Sequence, residues 1–256
     1  TDLSGNMTRL ASGLGGTSLG RPYAGADYAV GGGGRYAFTL GTTQHPAELA
    51  SAVRGGDATQ LTHLNDNGVG KLALGRVEER WVTSSAGDEK IHAWVVYPPD
   101  FDATRKYPLL LEIHGGPHTN YGGRFAAEVQ LYAAAGYVVV YANPRGSTSY
   151  GDRFANLIHH NYPSEDYDDL MSVVDAVVDD GFIDTEQLYV TGGSGGGVLT
   201  AWIVGKTDRF RAAVVAKPVI NWTSFALMAD NTPYFTRYWF PEMPWEAPEH
   251  YWQRSP

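Results

Sequence analysis

The chain has 256 residues, 19 Lys and Arg against 28 Asp and Glu, a formal charge of −9 at pH 7 and no cysteine. Its 43% apolar and 18% charged residues describe a globular chain of one large or two smaller domains, not a disordered one. The acidic balance argues against a nucleic-acid backbone or an anionic membrane as partner. The missing cysteines exclude disulfides, thiolate metal sites and a cysteine nucleophile.

No apolar run approaches ~18 residues, so no segment is expected to span a bilayer. No signal peptide is visible and a cytoplasmic location is expected. The chain opens at Thr1 rather than Met, so the true N-terminus is expected upstream.

The first 75 residues are glycine-rich and lack helical periodicity. Arg35-Tyr36-Ala37-Phe38-Thr39-Leu40 reads as a strand entered from the turn signal Gly31 to Gly34. Met7-Thr8-Arg9-Leu10 resembles Ala58-Thr59-Gln60-Leu61, an offset of 51 residues, close to the ~40–50 residues of a β-propeller blade. Two unrelated hairpins would look alike. Blades do not bury their faces alone, so a propeller reading implies further blades upstream.

From Val77 the pattern changes. Strands are expected at 91–97, stopped by Pro98-Pro99, and at 108–113, 137–142, 188–191 and 212–216. Helices are expected at 124–135, with Gly136 as its stop, around Leu170, Val173, Val174, Val177 and Val178, and at 198–206. Ser164 or Asp166 is the expected N-cap of the middle helix and Gly181 its terminator. The alternation predicts an α/β fold, a mostly parallel sheet with helices on both faces and its active site at the carboxyl ends of strands. The whole −9 falls in 81–256, with nine acids between 165 and 186. They read as a solvated helix face, the alternative being an acidic cation-binding surface.

Gly192-Gly193-Ser194-Gly195-Gly196 matches G-x-S-x-G, with an apolar strand running into it and an apolar helix leaving it. A sharp strand-to-helix turn of this kind exposes a serine hydroxyl and needs glycines where side chains would strike backbone. The helix N-terminus beneath it favours developing negative charge. The same composition suits a flexible linker, but a linker does not sit between Leu-Tyr-Val-Thr and Val-Leu-Thr-Ala-Trp-Ile-Val. Nucleotide readings fail: no phase of the glycine run fits G-x-G-x-x-G, and a P-loop ending at Gly205-Lys206-Thr207 would need glycine where Thr200 stands.

Upstream, His114-Gly115-Gly116-Pro117-His118 follows a strand. Acyl transfer needs backbone N–H donors for a tetrahedral oxyanion, and Gly195 and Gly116 are placed to supply them. His114 reads as a brace of that loop. His159-His160 is expected on a surface loop, and Arg145 either reaches a substrate carboxylate or braces its own loop. Asn6-Met7-Thr8 and Asn221-Trp222-Thr223 match the glycosylation pattern, which carries no meaning without a secreted context.

A serine nucleophile requires a histidine base and an acid, in the chain order serine, acid, histidine. Only 62 residues follow Ser194, and their one histidine, His250, is not in a strand-end setting. The acid and base are therefore expected from the remainder of the same protein. Residues 233–256 carry eight aromatics and are expected to be irregular, either lining an apolar substrate pocket or packing onto the core.

His114-Gly115-Gly116-Pro117-His118, then Asn143-Pro144-Arg145-Gly146-Ser147 with Tyr150-Gly151, then Asp166-Tyr167 with Asp169-Leu170, then Gly192 to Gly197 occur in that order. This succession resembles the prolyl oligopeptidase family, most of all its acylaminoacyl-peptidase and dipeptidyl-peptidase-like branch. The match covers 77–256 closely and the whole chain loosely. The resemblance implies an α/β-hydrolase fold over 77–256, truncated after the nucleophile half, preceded over 1–76 by the last blade or blades of a β-propeller.

It also implies a serine peptidase cutting short peptides near a terminus, with Ser194 as nucleophile and Gly116 and Gly195 as oxyanion donors. His118, Trp222 and Phe225 become substrate-pocket positions near the scissile bond. Many members carry tyrosine after the serine where this chain has Gly195, which changes the local wall of the site. No cofactor and no metal is implied; the partner is a short peptide substrate, and a homo-oligomer stays open. Two rivals stand beside this reading: an esterase on the same fold, and a catalytically silent fragment or binding module.

Overall fold

The computed structural model describes residues 4–16 and 20–256. The chain forms two compact units, Thr1–Arg76 with Tyr121–Leu131, and Val77–Asn120 with Tyr132–Pro256. The first boundary lies where the sequence pattern changes; the segment 121–131, expected with the second unit, packs with the first.

In the first unit β1 (Tyr28–Val30), β2 (Arg35–Leu40), β3 (Glu48–Val53) and β4 (Thr59–Gln60) form an antiparallel sheet in chain order. The turn into β2 uses Gly33 and Gly34 at φ 68° and 72°, a region L-residues avoid. Period-two alternation sends Tyr36 and Phe38 of β2 inward against Ala50 and Ala52 of β3, a four-residue core. The repeat suggested by 7–10 and 58–61 is not structural: Thr59-Gln60 is a strand, whereas Met7 to Leu10 is irregular.

The second unit is built on a six-stranded sheet of order β10-β9-β7-β8-β6-β5. The strands are β5 (Val77–Thr83), β6 (Lys90–Val96), β7 (Tyr107–Ile113), β8 (Val138–Asn143), β9 (Ile183–Gly193) and β10 (Ala212–Ala216). β8, β7, β9 and β10 run parallel, while β5 and β6 form an antiparallel edge. The helices are α1 (Ala127–Ala134), α2 (Asp152–Ala155), α3 (Asp166–Val178), α4 (Gly195–Lys206), α5 (Trp222–Met228), α6 (Thr232–Tyr238) and α7 (Pro248–Arg254).

β8 is buried at every residue and β7 at all but Pro108, as largely apolar strands covered on both faces should be, although Glu112 and Asn143 are buried with them. Leu170, Val173, Val174 and Val177 of α3 join β7, β8 and β9 in one core. The N-cap of α3 is Glu165, without a side-chain cap; Asp166 instead turns back and accepts from the amides of Ser164 and Tyr167. Gly136 and Gly181 end α1 and α3 at φ 97° and 88°.

Residues 233–256 are irregular only between and after two helices, α6 and α7. Pro233 and Pro248 each occupy the first turn of a helix, where a missing N–H costs nothing, so proline here starts α6 and α7 instead of breaking them. Their aromatics pack onto the core: Phe240 stacks on Tyr251 at 4.1 Å, and Phe235 on Trp239 at 5.0 Å. Among the described residues no helix is long and apolar enough to cross a membrane.

β7 is the switch point of the parallel sheet: β8 pairs on one side of it and β9 on the other. Ligands of such sheets bind outside the strand ends where the order reverses. The loops that leave β7 and β9 are the two glycine motifs.

Candidate active site

β9 ends at Gly193 and α4 begins at Gly195, leaving Ser194 alone in the turn. Its dihedrals, φ 59° and ψ −118°, are strained for a residue with a side chain, and the residue is exposed. The turn is held from both sides: the Ser194 amide donates to the Ala216 carbonyl at 3.0 Å, and its carbonyl accepts from Val198 at 2.9 Å. A Cβ on Gly192, Gly196 or Gly197 would meet a backbone oxygen at 2.4, 2.1 or 2.3 Å, so the glycines serve close packing of this turn and not flexibility. The linker reading is thereby excluded.

The β7 loop closes over the start of α4. A Cβ on Gly195 would lie 2.7 Å from the Gly116 carbonyl oxygen and 2.9 Å from its nitrogen. Gly116 itself has φ 113°, and its peptide bond to Pro117 is cis. Gly195 is the first residue of α4, so its N–H has no acceptor inside the helix. Neither its amide nor that of Gly116 has a hydrogen-bond partner among the described residues. Two N–H groups without partners thus lie on touching backbones next to the exposed serine in the chain fold.

The surrounding polar residues hold this geometry. His114 is buried, with Nδ1 2.5 Å from the Gly115 carbonyl and Nε2 2.9 Å from Ser147 Oγ. Burial holds its pKa at about 4, so the ring is neutral and braces the loop. Arg145 braces too: buried, it donates from Nε and Nη2 to the two oxygens of Asp169 at 2.9 Å each, and from Nη2 to the Ala86 carbonyl. It is turned into the protein, where these bonds hold it.

Tyr162 was not legible as a site residue. Fully buried, it directs its hydroxyl at the Gly195 carbonyl oxygen, 3.4 Å away. Nothing local in the sequence marks it, because the contact joins residues 33 positions apart. Asp166, also buried, has Oδ2 unpaired; burial raises its pKa to about 7, against the opposing pull of the Ser164 and Tyr167 amides.

His118 is half-buried, with Nδ1 3.1 Å from the Gly146 carbonyl and its ring 6.0–6.4 Å from those of Tyr234, Tyr238 and Trp239. The β7 loop and the aromatic helix α6 therefore meet at this residue. Phe225 is half-buried against Phe235 at 4.8 Å. Trp222 is only 1% exposed, enclosed by Tyr162, Phe225, Trp239 and Phe240. It supports that wall from beneath and presents no surface of its own.

Asn221 of the Asn-Trp-Thr pattern is the N-cap of α5, its side chain accepting from the Ser224 amide at 2.8 Å. His159 and His160 stack on each other at 3.8 Å, away from any cluster of ligating atoms among the described residues. His250, in α7, packs against the ring of Phe240. Among the described residues no histidine nitrogen lies within hydrogen-bond distance of Ser194 Oγ.

The sequence profile of the prolyl oligopeptidase family matches residues 123–256. Peptidase YuxL of Bacillus subtilis (strain 168), itself uncharacterized, is 42% identical over 212 residues, 82% of this chain and 32% of that protein. Dipeptidyl-peptidase 5 of Schizosaccharomyces pombe is 34% identical over 188 residues, 72% of this chain and 27% of that one. Among solved structures, the acylaminoacyl peptidase of Pyrococcus horikoshii superposes with a TM-score of 0.80 at 29% identity, over 86% of this chain and 35% of that one. The chain thus spans about a third of the length of such relatives. By the matched profile and by the glycine-framed serine at the sheet's switch point, the chain belongs to the prolyl oligopeptidase family.

Proposed function

We propose that this chain carries the nucleophile half of a serine peptidase that hydrolyses short peptides near a terminus. The observation that carries the reading is the pairing of Ser194, exposed in a strained turn, with the free amides of Gly116 and Gly195. In the reaction Ser194 Oγ attacks the scissile carbonyl while a histidine takes its proton. The oxyanion accepts hydrogen bonds from the Gly116 and Gly195 N–H groups, and the amine leaves with a proton from the same histidine. Water then hydrolyses the acyl-enzyme by the same route.

The histidine and its orienting acid come from the remainder of the same protein. An unfinished sheet supports this: β10 is an edge strand of Ala and Val whose Val214 is 65% exposed, an apolar edge that isolated domains avoid. Further strands pairing there would carry the acid and base to the strand ends beside Ser194. The antiparallel four-stranded meander of the first unit fits the last blade of a β-propeller over 1–76. His118 and Phe225 would form the wall facing the substrate side chain, backed by Trp222.

Short peptides are the favoured substrates, because the relatives include a dipeptidyl-peptidase and an acylaminoacyl peptidase solved with Z-Gly-Gly-Phe-chloromethyl ketone. The test compares the full-length protein and its Ser194→Ala variant on an acyl-amino-acid anilide, a dipeptidyl anilide and a simple aryl ester. Anilide cleavage lost in Ser194→Ala supports a peptidase; ester cleavage without anilide cleavage makes it an esterase. Anilide cleavage retained by Ser194→Ala removes the serine from the mechanism. A second reading has its own support: with no histidine within reach of Ser194 Oγ, the 256-residue chain by itself is silent.

A further inference from the structure

We propose that Arg124, in the first unit, anchors a binding site for a monatomic anion of chloride size. The cavity that Arg124 lines lies among residues 15–16, the turn 41–47 that joins β2 to β3, and the residues just before α1, all within that unit. Its lining contains no Asp or Glu, in a chain whose formal charge is −9.

Arg124 is half-buried, and its Nε is shut off from water with no hydrogen-bond partner among the described residues. The one acceptor its side chain meets is the Gly123 carbonyl, 3.3 Å from Nη1. Burial lowers its pKa, with no carboxylate close by to oppose the effect. The acids that adjoin the lining are committed elsewhere. Glu128 pairs with Arg21 at 2.9 Å, and Glu48 accepts from Thr62 and Asn65. Asp66 faces His45 at 3.3 Å and His63 at 3.0 Å. A guanidinium keeps its charge at every working pH, so one drawn out of water without a counter-ion calls for an anion.

The rest of the lining adds uncommitted donors. The amides of Gly16 and Phe125 have no acceptor among the described residues. Thr42 Oγ1 accepts from the Gln44 amide at 3.1 Å, and its own proton is uncommitted. Gly15 and Gly41 approach so closely that a Cβ on Gly15 would lie 2.8 Å from the Gly41 nitrogen, so no side chain fills the space. The cavity has a volume of about 10 Å3, room for one water molecule or one monatomic ion and too little for sulfate or phosphate. Between water and a halide, the unbalanced guanidinium selects the halide. Bound there, the anion ties the irregular segment before β1 to the β2–β3 turn and to the residues before α1.

The competing occupant is a water molecule. Thermal melts of the full-length protein in sodium chloride against sodium gluconate, at fixed ionic strength, separate the two, since gluconate is too large to enter. For an affinity of about 10 mM, raising chloride from about 5 to about 200 mM lifts the melting temperature by about 3–6 °C. The rise is expected to vanish in Arg124→Gln and to persist in Arg54→Gln, which removes an exposed cation of the same unit. No rise in the parent, an equal rise in Arg124→Gln, or a rise lost in Arg54→Gln as well overturns the site and leaves water or adventitious surface binding. Should Arg124→Gln fail to fold, crystals of the parent grown in sodium bromide decide. An anomalous bromide peak within hydrogen-bond reach of Arg124 Nε supports the proposal; a water molecule or a carboxylate at that place overturns it.

Discussion

Gly195 and Gly116 touch through their backbones: a Cβ built on Gly195 falls 2.7 Å from the Gly116 carbonyl oxygen. That contact joins the loop after β7 to the start of α4 and fixes the spacing of two unpartnered amides. Gly195→Ala must push the Gly116 loop away. A misplaced donor lowers kcat of the full-length protein by roughly 10–100-fold, since outright loss of an oxyanion donor costs about 10²–10³. Overpacking also lowers stability by about 1–3 kcal/mol. Steady-state kinetics and urea unfolding read the two effects separately.

Tyr162 buttresses the same peptide from the core side through its hydroxyl, 3.4 Å from the Gly195 carbonyl oxygen. Tyr162→Phe keeps the ring among Trp222 and Trp239 and removes only that hydrogen bond. A neutral hydrogen bond contributes about 0.5–1.5 kcal/mol. The expected result is a fall in kcat of roughly two- to tenfold with KM unchanged; a change in KM alone would assign Tyr162 to substrate binding.

Asp166 gives the protein a pH signature. Burial raises its pKa from the usual carboxylate range to about 7 in the folded chain. The folded state therefore holds a proton that the unfolded chain releases near pH 4. The stability tied to it is complete below about pH 4 and is lost as pH rises through 7. Asp166→Asn keeps an oxygen for the Ser164 and Tyr167 amides and removes the titration. Thermal melts should show the variant gaining on the parent between pH 5 and pH 8; parallel curves would place the Asp166 titration elsewhere.

Arg145 and Asp169 form a buried bidentate pair, 6% and 0% exposed. Arg145→Ala leaves Asp169 with an uncompensated charge, and breaking such pairs costs about 3–5 kcal/mol. Urea unfolding of the second unit should shift by that amount, whereas a substrate-binding arginine would change KM and leave the midpoint in place.

The sheet was readable from the sequence because its strands are buried on both faces. Apolar runs such as Leu109 to Leu111 and Val138 to Ala142 leave little choice of structure. The serine turn was readable because backbone crowding restricts Gly192, Gly196 and Gly197 to one residue type. Two classes of feature were hidden. The helices α6 and α7 begin at prolines, and Pro233 or Pro248 reads as a breaker until its position in the first turn is known. Tyr162 with Gly195, and His45 with Asp66, meet only after folding. No spacing rule over 21 or 33 residues announces such contacts.

Ser194 should be an activated nucleophile once the rest of the protein is present. Intact mass after treatment with a fluorophosphonate probe tests this most directly, on the full-length protein, on its Ser194→Ala variant and on the 256-residue chain. One adduct is expected, on Ser194, in the full-length protein and none in the other two. An adduct that persists in Ser194→Ala, or an unlabelled full-length protein, would contradict it.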